Sequence, residues 1–303
     1  MLTIESPLNH GLITAPTATE LDDLIDHVNH VCSIDLADYK RTVLGRRIEA
    51  HMRQLGVKSY RIYRDLLEDP KEISQFLDTF LINVTHFFRD PLVWNYLADH
   101  AIPKLIADTL PDQPIRVWSA GCASGEEVYS LAMLLVEALG GEQFQQRVRI
   151  YGTDIDNKAL RQASRGNYLT SHAESIPTKL LNRYFEPSDY GYRWRDEWRH
   201  SMVFVRHDLI HSPPFSHIDL LLCRNTFIYF TQESQIRALT RFHFSLNDHG
   251  FLLLGQSELP TTNPPNHLFT AVNRQARVFT KVPNAHRDRL LLPLAFGRHR
   301  PTG

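Results

Sequence analysis

The sequence predicts an α/β fold, with a mainly parallel sheet carrying helices on both faces, preceded by an all-helical segment. Three observations predict it. Apolar runs at 115–118, 148–151, 202–205, 218–222 and 251–254 have the length and content of buried strands. Helical stretches at 125–139, 156–164 and 232–246 separate several of them, and such alternation needs crossovers that cover the sheet faces. Before residue 83 the apolar spacing is helical, with no strand pattern.

Residues 1–18 are polar and turn-rich (Pro7, Gly11, Pro16) and predict a loose leader. Residues 19–82 predict a helical subdomain of four helices. Leu21, Leu24, Ile25 and Val28 set the first helix. The second spans 39–55 and stops at Gly56, the third spans 59–67, and the fourth runs from 71 toward 82. Residues 83–114 read as a linker and a helix from 91 to 110, both contributing to a site. The α/β domain fills 115–282. Within it, Tyr190-Gly191-Tyr192-Arg193-Trp194-Arg195 alternates aromatics with arginines, predicting a small inserted β flap at about 184–204. The runs 269–272 and 276–282 flank Asn273-Arg274-Gln275 and predict an antiparallel hairpin at the sheet edge. Residues 283–303 form a short basic tail with a small apolar patch.

The bulk composition excludes several classes. The 303 residues are 43% hydrophobic and 22% charged, an ordinary globular balance. A net charge of −1 gives no overall field for nucleic acid or an anionic membrane, so any basic surface is local. Cys32, Cys122 and Cys223 are too few and scattered for a disulfide framework and suit a reducing compartment. With no signal-peptide pattern and no apolar run long enough to span a bilayer, the expected location is the cytoplasm. His207 and His211 lie four apart, but Pro213 and Pro214 follow and no partner ligands have suitable spacing, so no metal is expected. The second helix carries Arg41, Arg46, Arg47 and Arg53 with His51; it reads either as a solvated face or as a patch for an acidic partner.

Open α/β sheets bind ligands beyond the carboxyl ends of their strands. After the first strand comes Ser119-Ala120-Gly121-Cys122-Ala123-Ser124-Gly125-Glu126-Glu127. Its small residues let a ligand approach the main chain. Two carboxylates at the rim disfavour a pyrophosphate and favour a cationic cosubstrate such as S-adenosylmethionine (SAM). After the second strand come Thr153-Asp154-Ile155-Asp156, where Asp154, nearer the strand, is the better acceptor for a ribose diol. His207-Asp208-Leu209 follow the third strand, where groups meet an adenine. Cys223-Arg224-Asn225 and Tyr229-Phe230 follow the fourth. Ahead of the sheet, the 81–91 segment predicts Phe87 and Phe88 in the core and Asn83, Thr85 and Arg89 on a cleft.

These motifs resemble the CheR family, the SAM-dependent protein-glutamate O-methyltransferases of bacterial chemotaxis. The carrying residues are Asn83-Val84-Thr85-His86-Phe87-Phe88-Arg89-Asp90-Pro91, the 119–127 loop, Thr153-Asp154-Ile155-Asp156, and Cys223-Arg224-Asn225-Thr226-Phe227-Ile228-Tyr229-Phe230. The likeness covers about residues 20–282. It implies a class I (Rossmann-like) sheet and a cosubstrate pocket lined by Asn83, Thr85, Arg89, Gly121, Glu127, Asp154, Asp208, Leu209, Arg224 and Asn225. It also implies that Glu127 meets the methionyl ammonium, Asp154 the ribose hydroxyls, and Arg89 and Tyr229 the transferring methyl. The implied partner is the cytoplasmic domain of methyl-accepting chemoreceptors, with Arg46, Arg47 and Arg53 as docking residues and peptide docking on the flap. Two features depart from well-known members: Ala50 and His51 stand where further arginines are expected, and the flap is somewhat short.

The chemistry points the same way. A glutamate carboxyl ionises at about 4.3, so at neutral pH the acceptor is already a nucleophile and needs no general base. Alignment and exclusion of water are what a site must supply, with Arg89 as a carboxylate clamp and the Tyr229 hydroxyl as an orienting group. Two other classes stand beside this reading. Amino-group methyltransferases place an acidic or amide residue before Pro-Pro-aromatic after the fourth strand. Here Arg224-Asn225-Thr226-Phe227 stands there, and Ser212-Pro213-Pro214-Phe215 precedes the strand. A SAM-binding protein acting on another signalling protein, or a non-catalytic sensor, would keep the pocket without this acceptor.

Overall fold

The computed structural model describes residues 18–31, 34–81, 83–258 and 268–296. The predicted leader to residue 17, Cys32, and the end of the tail from 297 lie outside them. The chain divides into two units, residues 1–82 and 83–303.

The first unit is all-helical. Helix α1 (Ala18–Val31) buries Leu21, Leu24, Ile25 and Val28, as its spacing requires. A 3-10 turn at Leu36–Asp38 is capped by the Asp35 carboxylate, which accepts from the Ala37 N–H. This turn delays α2, which runs Arg41–Gln54 rather than from 39. Helix α3 (Tyr60–Leu66) is capped by Ser59, and α4 (Pro70–Phe80) by Asp69, with Pro70 in its first turn where a missing N–H costs nothing.

His51 is a core residue rather than part of a basic face. It follows Leu44 and Ile48 on the buried side of α2, and its Nδ1 lies 2.8 Å from the Tyr63 hydroxyl. The arginines of α2 point elsewhere: Arg41 pairs with Asp22 at 2.5 Å, Arg53 lies 3.8 Å from Glu49, and Arg46 Nε donates to the Thr42 carbonyl.

The second unit opens with α5 (Pro91–Tyr96), a π-helical turn at Leu97–Ala101, and α6 (Ile102–Asp108). The helix expected over 91–110 runs without a gap over 91–108 and widens into its π turn where Pro103 has no N–H to give the Asp99 carbonyl. The α/β core follows. Strand β1 (Ile115–Ala120) leads to α7 (Glu126–Leu139) and α8 (Gly141–Arg147), then β2 (Val148–Asp154) and α9 (Asn157–Arg165). An insert carries β3 (Asn167–Leu169), α10 (Thr170–Ala173), α11 (Thr178–Tyr184), β4 (Phe185–Ser188) and β5 (Gly191–Trp194). The core resumes with β6 (Met202–Arg206), β7 (Ile218–Cys223), α12 (Gln232–Ser245) and β8 (Leu246–Leu254), and ends with β9 (Phe269–Asn273), β10 (Val278–Lys281) and α13 (Ala285–Phe296).

The main sheet has the order β6-β2-β1-β7-β8-β10-β9. All pairs from β6 to β8 are parallel, and β10 is antiparallel to both β8 and β9, so the hairpin closes the edge as expected. Val117, Ile150, Leu220, Leu222 and Leu253 are buried in the sheet core. Strand order reverses at β1, between β2 and β7, which places the ligand crevice over the loop after β1.

The flap is a separate three-stranded antiparallel sheet, β3-β5-β4. It begins at residue 167 rather than 184, and residues 202–206 belong to the main sheet. A Cβ on Gly191 would strike the main chain of Tyr168 and Leu169, so β5 approaches β3 closely only because that residue is glycine. An aromatic cluster fixes the flap to α7: the Tyr129 ring lies 4.8 Å from Trp194 and 5.6 Å from Tyr168. The described part of the predicted tail, residues 283–296, is packed. Helix α13 packs on α12, with His243 Nε2 3.0 Å from Asp288 and the Phe244 and Phe296 rings 5.5 Å apart. Among the described residues no helix is long and apolar enough to cross a membrane.

Burial holds the His51 imidazole below its ordinary 6.5, opposed by the nearby Glu72 carboxylate. The unfolded chain therefore binds this proton more readily, and stability falls as pH drops below about 6.5. Denaturant melts of the full chain should show this acid-side loss, and His51→Phe should flatten it.

Candidate active site

Four loops converge at the carboxyl end of the sheet. The loop after β1 turns back at once: the N–H groups of Gly121 and Cys122 both donate to the Thr153 carbonyl on β2, at 2.8 and 2.9 Å. Gly121 has φ +77, and the space a Cβ would take is held by the Thr226 side chain from the turn after β7. Its smallness thus admits a neighbouring loop. Cys122 and Cys223 are fully buried thiols, pushed up by burial.

Of the two adjacent carboxylates, only one faces the crevice. Glu126 turns inward, accepts from the Ser124 hydroxyl at 2.7 Å, and is pushed up by burial. Glu127 accepts from the Ser119 hydroxyl at 2.8 Å and from Arg224 Nη1 at 3.0 Å.

Arg224 is the hub. Only 5% exposed, it bonds Glu127 through Nη1, while Nη2 donates to the Asp90 carboxylate and the Arg89 carbonyl, each at 2.7 Å. Its guanidinium also lies over the Trp94 ring at 5.6 Å. One side chain therefore ties the turn after β7 to α7 and to the loop before α5. Asp90, at the start of α5, makes no side-chain cap there and serves Arg224 instead.

The 83–90 loop is threaded between these elements. Phe87 is buried against Tyr168 and Phe185, while Phe88 is half-buried with its ring 5.6 Å from Trp94. The Phe88 N–H donates to Ser130 on α7 at 3.1 Å, and the Trp94 indole donates to the Arg89 carbonyl at 2.7 Å. Thr85 is half-buried on the same loop. The Arg89 guanidinium donates through Nη1 to the Val84 carbonyl at 2.9 Å, so it does not pair with Asp90.

Asp154 ends β2. Its Oδ2 accepts from the Ala123 N–H and its Oδ1 from the Asp156 N–H, both at 2.9 Å; burial raises it above the ordinary carboxylate range against those donors. Asp156 serves differently, capping α9 through the Lys158 N–H at 2.7 Å and accepting from Asn83 Nδ2 at 2.6 Å. Asn83 thus reaches the helix cap after β2. Asp208 folds its carboxylate onto the N–H groups of Ile210 and His211, at 2.8 and 3.0 Å, and Leu209 beside it is buried. Asn225 has φ +61, and Tyr229 is half-buried on the 3-10 turn Phe227–Tyr229. Arg46, Arg47 and Arg53 belong to the helical unit.

One residue escaped the sequence reading. Glu258, in the turn after β8, is 5% exposed and accepts from the N–H groups of Thr226 at 2.6 Å, Phe227 at 3.0 Å and Gly255. It clamps the turn carrying Arg224 and Asn225. Burial pushes its carboxyl up to about 7, opposed by those N–H groups and by Arg224. Nothing in a Gly-Gln-Ser-Glu run signals this.

Two outcomes test the framework. Arg224→Ala leaves two carboxylates facing one another without their cation and should destabilise the chain by about 3–5 kcal/mol in denaturant unfolding. Glu258 binds its proton more tightly folded than unfolded, so its stability contribution declines from about pH 4.5 to about 7 and is level above. In Glu258→Gln that slope should vanish.

Residues 83–277 match the CheR methyltransferase, SAM binding domain, and residues 19–81 match the CheR methyltransferase, all-alpha domain. A 104.1 kDa protein of Rhodobacter capsulatus is 38% identical over 80% of this chain, which spans only 25% of that protein's length. The chemotaxis protein methyltransferase of Listeria monocytogenes is 32% identical over 79% of this chain and 89% of its own length. The Escherichia coli K12 chemotaxis protein methyltransferase is 33% identical over 74% of this chain and 79% of its own length. A match that takes in the whole strand-end framework, from Asn83 to Arg277, settles the assignment: the chain belongs to the CheR methyltransferase family and is a SAM-dependent methyltransferase of the class I fold.

Proposed function

We propose that the chain transfers the methyl group of SAM to glutamate side chains in the cytoplasmic domain of chemoreceptors, giving glutamate methyl esters and S-adenosylhomocysteine. The observation that carries this reading is the Glu127–Arg224–Asp90 bridge, which sets carboxylates around one guanidinium and leaves negative charge on the cosubstrate side. A sulfonium and an ammonium fit that field; a pyrophosphate does not. Asp154 fits a ribose diol as well. Its oxygens accept from the Ala123 and Asp156 N–H groups, and a carboxylate's roughly four lone-pair sites leave room for hydroxyl donors.

The acceptor carboxylate attacks the methyl carbon in line. A C–O bond forms as the S–C bond breaks, and the electron pair returns to sulfur, leaving a neutral thioether. No proton moves, which suits a site whose residues supply positioning. Arg89 commits Nη1 to its own loop and keeps Nε and Nη2 to orient an incoming carboxylate. The Tyr229 hydroxyl orients either reactant. Residues Asn83, Thr85, Asp208, Leu209 and Asn225 complete the cosubstrate pocket in this reading.

The test is labelled SAM with chemoreceptor cytoplasmic domains. Base-labile label on receptor glutamates is expected; SAM binding with no transfer to any receptor would replace this reading with a sensor. Arg89→Ala should abolish transfer while SAM still binds. Asp154→Ala should weaken SAM binding by about tenfold or more, roughly 1.4 kcal/mol, in equilibrium binding.

A further inference from the structure

Helix α9 carries a feature that the cosubstrate site does not use. Its sequence, Asn-Lys-Ala-Leu-Arg-Gln-Ala-Ser-Arg, contains three cations and no acid. Ala159, Leu160 and Ala163 face the core, which turns Lys158, Arg161 and Arg165 outward along one stripe. These three, with Gln162 and Asn167, line a groove of about 350 Å³, and none of these described lining residues is a carboxylate. Neighbouring arginines are spoken for: Arg193 binds Glu186 at 2.8 Å, and Arg199 binds Asp196 at 2.8 Å and the last carbonyls of α9. Among the described residues, the guanidinium groups of Arg161 and Arg165 meet no carboxylate within ion-pair distance.

The groove is joined to the active site by the helix itself. Asp156 caps α9 and holds Asn83 from the 83–90 loop at 2.6 Å, and Lys158 lies in the first turn after that cap. The groove wall therefore begins two residues beyond the cap that holds the start of the 83–90 loop.

We propose that this groove receives a carboxylate-rich helical segment of the methylated protein, held while its acceptor glutamate is in the site. This rests on the reading of the acceptor as a protein glutamate. Arg161 and Arg165, four residues apart, match carboxylates at the same spacing on a partner helix, with Lys158 one turn before them. A nucleic acid fits less well: three cations make a short phosphate track, and the lining has no aromatic ring for a base to stack on.

The test compares the full chain with Lys158→Glu/Arg161→Glu/Arg165→Glu and with the milder Lys158→Gln/Arg161→Gln/Arg165→Gln. With labelled SAM and a chemoreceptor cytoplasmic domain, KM for the receptor should rise about tenfold or more in the first variant and less in the second. The affinity for SAM and kcat should stay unchanged, and the salt dependence of KM should flatten. A fluorescent Glu-rich helical peptide should bind the wild-type chain and lose binding in the charge-reversal variant. Unchanged KM with transfer intact would overturn the groove, as would an oligonucleotide that displaces the peptide and binds more tightly than it. If the wild-type chain methylates no receptor, the proposed function fails, and peptide binding still decides for or against the groove.

Discussion

The site depends on one buried cation. Arg224 comes from the turn after β7, yet its three hydrogen bonds end on α7, on Asp90 at the start of α5 and on the Arg89 carbonyl of the loop before it. A guanidinium is suited to this because its fork delivers separate N–H groups to separate acceptors in one plane. Burial makes each bond stronger and makes the loss of any partner more damaging. Glu127 and Asp90 need that cation as much as it needs them. Two carboxylates facing one crevice without it would repel, and the 83–90 loop would lose its anchor to the sheet.

Around this tie the backbone is held in conformations that side chains disfavour. Phe88, Asp90, Ala123 and Asn225 all have positive φ without being glycine, and all lie on the loops that meet at the crevice. Each costs of order 1 kcal/mol and persists only where the surroundings over-determine it. The surroundings can be named. Ser130 holds the Phe88 N–H, Arg224 holds Asp90, Asp154 holds the Ala123 N–H, and Glu258 holds the turn that follows Asn225. Glu258 and Arg224 thus act on one turn from opposite sides.

The sheet was legible because apolar runs separated by helical stretches admit few arrangements, and placing polar residues at strand ends then locates the crevice. What was illegible is mostly rotation. Adjacent residues at a helix start differ by about 100°, so a Glu-Glu pair cannot reveal which carboxylate turns inward; Glu126 does. His51 was legible in principle, since Leu44, Ile48 and His51 share one face of α2, but a histidine among arginines reads as charge. The flap's first strand is three residues long and follows a helix after a single glycine, too short for any alternation to show. Helix α13 owes its order to α12, a tertiary cause that a short basic sequence does not display.

The same distinction between sequence charge and available charge separates the two basic helices. Helix α2 has more arginines, and by count it is the stronger candidate for an acidic partner. In the fold, Arg41 meets Asp22, Arg53 lies beside Glu49, and Arg46 bonds a backbone carbonyl. Exposed pairs of this kind contribute little to stability, but each one lowers the field that a partner would feel. Helix α9 has fewer cations, no acid among its nine residues, and no carboxylate among the described residues that line its groove. Arg161 and Arg165 meet no carboxylate among the described residues, whereas Arg41 and Arg53 of α2 do. A chain with net charge −1 that keeps such a stripe on the helix following Asp154 has a local reason to attract carboxylates.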